Sequence, residues 1–205
     1  MTLPSHPDVQ IESDSRAWSG RFAVDVVTFR HRRFDGGMSG PRTWELLRRG
    51  RAAAVLPYDP ATDQVVLIDQ FRLPALAAGL DPVMVEIPAG LCDGNEDPAT
   101  TARREVQEET GLHVHSLELI GDFLLTPGGS DERCTLFVGR TAAPAGPLSN
   151  GGLASEHEDI RVRLHPAEAA IAAAIAGEYP NSVTAIALLW LAARREWLRD
   201  RWRAA

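Results

Sequence analysis

The chain of 205 residues is long enough for one ordinary core plus an appendage. Hydrophobic residues at 44% and charged residues at 24% place it among packed proteins, away from disordered or collagen-like compositions. Its 21 basic residues against 28 acidic ones give a net charge of -7, which weighs against coating a polyanion; all 21 are arginine, so Schiff-base, Walker and kinase lysines are excluded.

Taken in chain order, residues 8 to 50 mix β-compatible stretches, notably FAVDVVTFRHRRF at 22 to 34, with a turn at Asp35, Gly36 and Gly37, which is a hairpin signal. This predicts a small antiparallel unit over 1–50, followed by a main domain over 51–205. The runs AAAVLPYD and QVVLIDQFRL around the turn DPATD predict two strands, and VMVEIPAG a third that ends at Pro88. GLCDGNED reads as a loop. Asp97 as N-cap, Pro98 at N1, the helix formers of TTARREVQEET and Gly111 as a stop predict a helix from 98 to 110. Strands are expected at 113 to 123 and 133 to 140, a Pro/Gly/Ser-rich loop at 142 to 157, and a strand in EDIRVRL. Two helices close the chain, PAEAAIAAAIAG and SVTAIALLWLAARREWLRDRW, the second with a buried Trp/Leu stripe and an Arg-rich outer face. Only Cys92 and Cys134 are present, outside any metal-site spacing, and no apolar run reaches membrane-spanning length. A cytoplasmic protein that binds neither membrane nor nucleic acid is expected.

The segment from 90 to 112, GLCDGNEDPATTARREVQEETGL, carries the chemistry. On a helix Glu105, Glu108 and Glu109 share one face, and like charges at that spacing repel unless a cation intervenes. Hard divalent ions with oxygen ligands, Mg2+ or Mn2+, suit such a set and commonly share ligands with a substrate phosphate.

These 23 residues resemble the Nudix signature, Gly-x5-Glu-x7-Arg-Glu-U-x-Glu-Glu-x-Gly-U with U a bulky aliphatic residue, and every specified position matches. The resemblance implies an α/β (α+β) Nudix fold, a mixed β-sheet sandwiched between helices, and hydrolysis of a nucleoside diphosphate linked to another group. Outside the signature, QFR at 70 to 72, TPGGSDER at 126 to 133, EHEDIRV at 156 to 162 and FRHRRFDGGMSG near the N-terminus are similar to bacterial ADP-ribose pyrophosphatases over residues 18 to 192. That likeness implies a homodimer in which the N-terminal sheet is exchanged and completes the partner's site.

By position, the resemblance assigns metal ligation, by two or three ions, to the carbonyl of Ala89 and the carboxylates of Glu105, Glu109 and Glu158, with Glu108 as an accessory. Arg104 orients a neighbouring carboxylate, and Gly90 lets the backbone approach the metal. Glu156 is assigned to activate the attacking water, with Glu108 and His157 as further base candidates. Arg72 is placed near the diphosphate or ribose, Leu91 and Thr126 beside the substrate, and Glu132 at the terminal ribose. Phe22, Trp44, Glu45 and Arg49 mark the adenine edge; Trp44 departs from the pattern, where a basic residue is common. Three functions follow as alternatives: Mg2+-dependent cleavage of ADP-ribose to AMP and ribose 5-phosphate, cleavage of another nucleotide sugar such as GDP-mannose, and a catalytically silent nucleotide-sugar sensor.

Overall fold

The computed structural model describes residues 3 to 203 apart from 145, 147, 149, 154 and 156. The chain divides into two compact units, Met1–Gly50 with Leu124–Arg133, and Arg51–Phe123 with Cys134–Ala205.

The first unit is a three-stranded antiparallel sheet of β1 (Val9–Ser19), β2 (Ala23–His31) and β3 (Arg42–Arg48), in that order. The predicted turn between β2 and β3 is present, and Gly36 adopts φ 86°, a conformation that a side chain disfavours. Little apolar surface is buried here. Val27 is interior, whereas Trp18 is 65% exposed and Phe34 and Trp44 also face outward. The central strand is instead organised around charge: buried Asp25 meets Arg16 of β1 and, at 3.5 Å, Arg48 of β3. The segment from 124 to 133 joins this unit through Leu47, whose N–H donates to Gly129 O (2.9 Å) and whose carbonyl accepts from Asp131 N–H (3.1 Å).

The second unit contains a seven-stranded sheet with helices on both faces. Its path runs β10 (Ile160–Pro166), β5 (Gln64–Phe71), β4 (Arg51–Asp59), β9 (Arg133–Arg140), β8 (Ser116–Leu124); β6 (Val83–Glu86) pairs with β5, and β7 (Ala89–Leu91) with β4. Nearly every residue of β4 and β5 is buried, as in a strand covered on both faces. Ala53 and Val55 pack with Ala102 and Val106 of α2 (Pro98–Thr110), whereas Tyr58, on the opposite face by alternation, lies 6.4 Å from the Trp202 ring of α4 (Ser182–Arg203). The remaining helices are α1 (Leu73–Ala77) and α3 (Ala167–Ile175).

Four sequence expectations need correction. The start of the supposed loop after Pro88 is strand β7, with Ala53 opposite Gly90 and Ala54 opposite Ala89, because β4 offers a ladder that three residues can join. Helix α1 was not foreseen; Pro74 in its first turn supports a short helix that has no apolar period to read. Asp97 occupies the N-cap of α2 but makes no side-chain capping bond, and its backbone carbonyl takes the N–H groups of Thr100 and Thr101. Finally, the arginines of α4 do not all form an outer face: Arg195 and Arg199 pair with Asp63 in the β4–β5 turn. The rest of α4 matches its pattern, with Thr184, Leu188, Leu191, Leu198 and Trp202 buried along one stripe.

Candidate active site

Helix α2 begins at Pro98 and ends where Gly111, at φ 71°, turns its N–H to Gln107 O (3.0 Å). Its inward stripe is Ala102, Val106 and Glu109, so a carboxylate stands where helical periodicity calls for an apolar residue. Glu109 is 2% exposed and accepts one hydrogen bond, from Ala89 N–H at 3.2 Å. Burial, reinforced by the nearby charge of Glu105, pushes its carboxyl up to about 9; Glu158 adds to the rise, while the Ala89 N–H and the charge of Arg72 offset part of it. Glu105 is raised as well, first by burial and then by Glu108 and Glu158, against the opposing pull of Arg104. Three carboxylates from two segments therefore act on one another across one small region.

Arg104 ties the helix face together. Its Nη1 donates to Glu105 (2.8 Å) and Glu108 (2.9 Å), and its Nη2 to Glu96 and to the carbonyl of Leu91 (both 3.3 Å). Glu96 in turn accepts from Thr101 Oγ1 at 2.8 Å. A Cβ added at Gly90 would lie 1.8 Å from Glu105 Oε1, so the glycine gives its space to that carboxylate.

The segment before β10 approaches α2 equally closely. A Cβ on Gly151 would lie 1.7 Å from the Glu109 carbonyl oxygen, and Gly152 N–H donates to the Glu108 carbonyl at 3.1 Å. Glu158 follows, its Oε2 accepting from Leu153 N–H at 3.2 Å. In the sequence these glycines mark a loop and nothing more; their steric role shows only when α2 lies against them. Glu156 lies outside the described residues.

A divalent cation fits this donor set. Isolated carboxylates would not be retained in a buried, mutually repelling group without a compensating positive charge, and Arg104 reaches Glu105 and Glu108 but has no bond to Glu109 or Glu158 among the described residues. Among those residues no three His, Cys, Asp or Glu side chains are gathered into a complete ligand cage.

The substrate-facing candidates divide between the units. Arg72 and Leu91 belong to the second, with the carboxylates; Arg72 Nε donates to Glu86 Oε2 at 2.8 Å, and its Nη2 lies 2.6 Å from the same oxygen in an ion pair. Phe22, Trp44, Glu45, Arg49, Thr126 and Glu132 belong to the first. There the Arg49 guanidinium sits 4.7 Å over the Phe22 ring and 3.6 Å from Glu132. Asp131 accepts from Arg49 N–H at 2.7 Å, and Thr126 O accepts from Gly129 and Ser130 N–H at 3.0 Å. Trp44 meets Phe29 edge-on at 5.2 Å, and with Glu45 it borders a largely apolar cavity of about 280 Å³ walled also by residues 127 to 130. Glu86 and Asp131 escaped the sequence reading. A charged residue inside the apolar run VMVEI was the signal for the first, and the acidic pair in SDER for the second.

The sequence and the fold both have known relatives. Residues 48–185 match the NUDIX domain model. The chain is 38% identical over 195 residues to an ADP-ribose pyrophosphatase of Escherichia coli, covering 95% of this chain and 93% of that protein. It is 31% identical over 188 residues to a GDP-mannose pyrophosphatase of Cronobacter sakazakii, covering 91% and 96%. A solved structure described as an ADP compounds hydrolase shares the fold, with a TM-score of 0.69 at 20% identity over 97% of this chain and 98% of that one. With the complete signature, the carboxylate-bearing helix and full-length relatives in agreement, the chain belongs to the Nudix family.

Proposed function

We propose that this protein hydrolyses the diphosphate bond of ADP-ribose, releasing AMP and ribose 5-phosphate, with Mg2+ or Mn2+ as the required ion. The observation that carries the reading is the cluster of Glu105, Glu109 and Glu158, in which Glu109 is 2% exposed on the inward face of α2 and accepts from the Ala89 N–H. Two or three ions held by those carboxylates and the Ala89 carbonyl would neutralise the diphosphate and make a bound water more acidic. Arg104 holds Glu105 and Glu108 on the helix face, Arg72 meets the diphosphate, and Glu156 takes the proton of the water that attacks phosphorus as the bridging P–O bond breaks. Leu91 borders the same region, and the first unit supplies the adenine and terminal-ribose contacts through Phe22, Trp44, Glu45, Arg49, Thr126 and Glu132.

The domain boundary falls at residue 50, and the working form is a homodimer with exchanged N-terminal sheets. The thin core and exposed aromatic side chains of the first unit support that reading, since such a sheet gains stability by packing on another surface. Light scattering on the full chain should give twice the monomer mass; a fully active monomer would refute it. No helix among the described residues is long and apolar enough to cross a membrane.

A second reading, GDP-mannose cleavage, is favoured by Trp44, which offers a stacking face where a basic residue is common. A panel of nucleotide sugars incubated with protein and Mg2+, assayed for mononucleotide release, separates the two. ADP-ribose should be turned over fastest; a preference for GDP-mannose would transfer the assignment, and no release from any member would refute hydrolysis.

A further inference from the structure

Glu86, at the end of β6, is 7% exposed and both of its oxygens are engaged. Oε2 accepts from Arg72 Nε at 2.8 Å and has Arg72 Nη2 beside it at 2.6 Å in an ion pair, and Oε1 accepts from Asn181 Nδ2 at 2.7 Å. Asn181 lies immediately before α4, and its own Oδ1 accepts from Thr184 N–H at 3.0 Å, which caps that helix. Thr184 Oγ1 then accepts from Ile87 N–H, the residue after Glu86, at 3.2 Å. The start of α4 is thus hooked to the end of β6 by two side chains, and the carboxylate between them grips an arginine 14 residues upstream.

A carboxylate paired with a guanidinium at such a buried place is a costly way to join a strand to a helix, because apolar packing would do so without desolvating polar groups. Its geometry has a different use. A guanidinium has five N–H donors in a rigid plane, so a bond from Nε with an ion-pair contact at one Nη sets the direction of the remaining donors. Arg72 keeps its side chain 38% exposed while held in this way, and its charge acts on Glu109 of α2.

We propose that Glu86 and Asn181 are positioning residues for Arg72, so that the capped start of the last helix sets the aim of the arginine at the substrate diphosphate. The inference rests on the assignment of Arg72 as a diphosphate contact. Neither positioning residue touches the substrate. Glu86 restricts the guanidinium to one rotamer, and Asn181 restricts Glu86 while remaining committed to the helix cap. A flexible arginine would pay its rotamer entropy on each binding event; a clamped one has paid it in the fold.

The experiment is a double-mutant cycle on AMP release from ADP-ribose with Mg2+, recording kcat and KM separately alongside the melting temperature. Glu86→Gln should lower kcat/KM roughly ten-fold, mostly through KM, because charge-assisted bonds hold the arginine. Asn181→Asp keeps an oxygen for the Thr184 cap but removes the donor to Glu86, and should raise KM in the same direction. It also supplies the test if Glu86→Gln does not fold. In an Arg72→Ala background, neither substitution should cost anything further, since the group they aim is gone. Equal costs in both backgrounds would mean a merely structural role and would overturn the proposal. So would normal kinetics for both variants while Arg72→Ala is impaired. Wild-type kinetics for Arg72→Ala would instead remove the assignment of Arg72 itself, and the proposal with it.

Discussion

Replacing Glu109 by Gln should make the metal-free protein more stable while destroying its activity. Its buried carboxyl is pushed up to about 9 from an ordinary 4.5, so near pH 7 the folded chain holds a proton that the unfolded chain has released. Retaining that proton costs about 3 kcal/mol at pH 7, at roughly 1.4 kcal/mol per pH unit above 4.5. The sign follows from the raised value: the native state binds more protons at this group than the unfolded state, so its contribution to stability is fully present below 4.5 and declines as pH rises toward 9. Gln has the shape of the protonated acid and no proton to lose, so Glu109→Gln should remove that decline. For a chain of this size, about 3 kcal/mol corresponds to a rise of roughly 6 to 12 °C in melting temperature. Scanning fluorimetry in EDTA from pH 4.5 to 8.5 would show the two proteins melting together at the acid end and separating above it. Mg2+ should then raise the melting temperature of the wild type but not of the variant, whose turnover should fall below about one hundredth of normal. A variant that melts below the wild type at pH 8 in EDTA, or a gap that does not change with pH, would refute the reasoning.

Three further outcomes are expected. Glu156→Gln should lower kcat strongly while leaving KM and the Mg2+ dependence nearly unchanged, as measured by steady-state rates over a pH series; a variant keeping most of its kcat at all pH values would shift the base to Glu108. Gly90→Ala places a methyl group 1.8 Å from Glu105 Oε1, so that carboxylate must swing away. kcat/KM should drop by about a hundred-fold with little change in circular dichroism, and near-normal turnover would show that Glu105 need not sit there. Far from the site, the hydrogen bond from Arg195, aided by Tyr58, holds the Asp63 carboxyl below its usual range, so its stabilisation is present above about pH 4 and lost as pH falls through the lowered value. Asp63→Asn, which tolerates the φ of 58° at this turn, should therefore melt lower than the wild type at pH 7 and converge with it as the pH falls through the lowered value; a constant difference would contradict the linkage.

The helix of the candidate site is legible in the sequence, because the signals that bound it lie close together in the chain. Pro98 and Gly111 bound α2 through local backbone chemistry, and a 3.6-residue period places Glu105, Glu108 and Glu109 on neighbouring turns whatever the rest of the fold does. The runs of β4 and β5 likewise announce two strands around a tight turn, and the Leu and Trp spacing of α4 announces a helix with one buried stripe. Other features depend on neighbours that sequence distance hides. Strand β7 is three residues long, too short to show alternation, and exists because β4 offers it hydrogen bonds. Asp97 stands at a cap position without capping, since the helix start is met by its backbone carbonyl instead. Gly151 has the look of loop filler until the Glu109 backbone occupies the place of its missing Cβ. Glu86 and Asn181 are 95 residues apart and make one hydrogen bond. Local periodicity and capping determine which side chains a helix presents, and they act over a few residues. Which distant groups bury, repel or clamp those side chains is decided only when the sheet brings the strands and helices together.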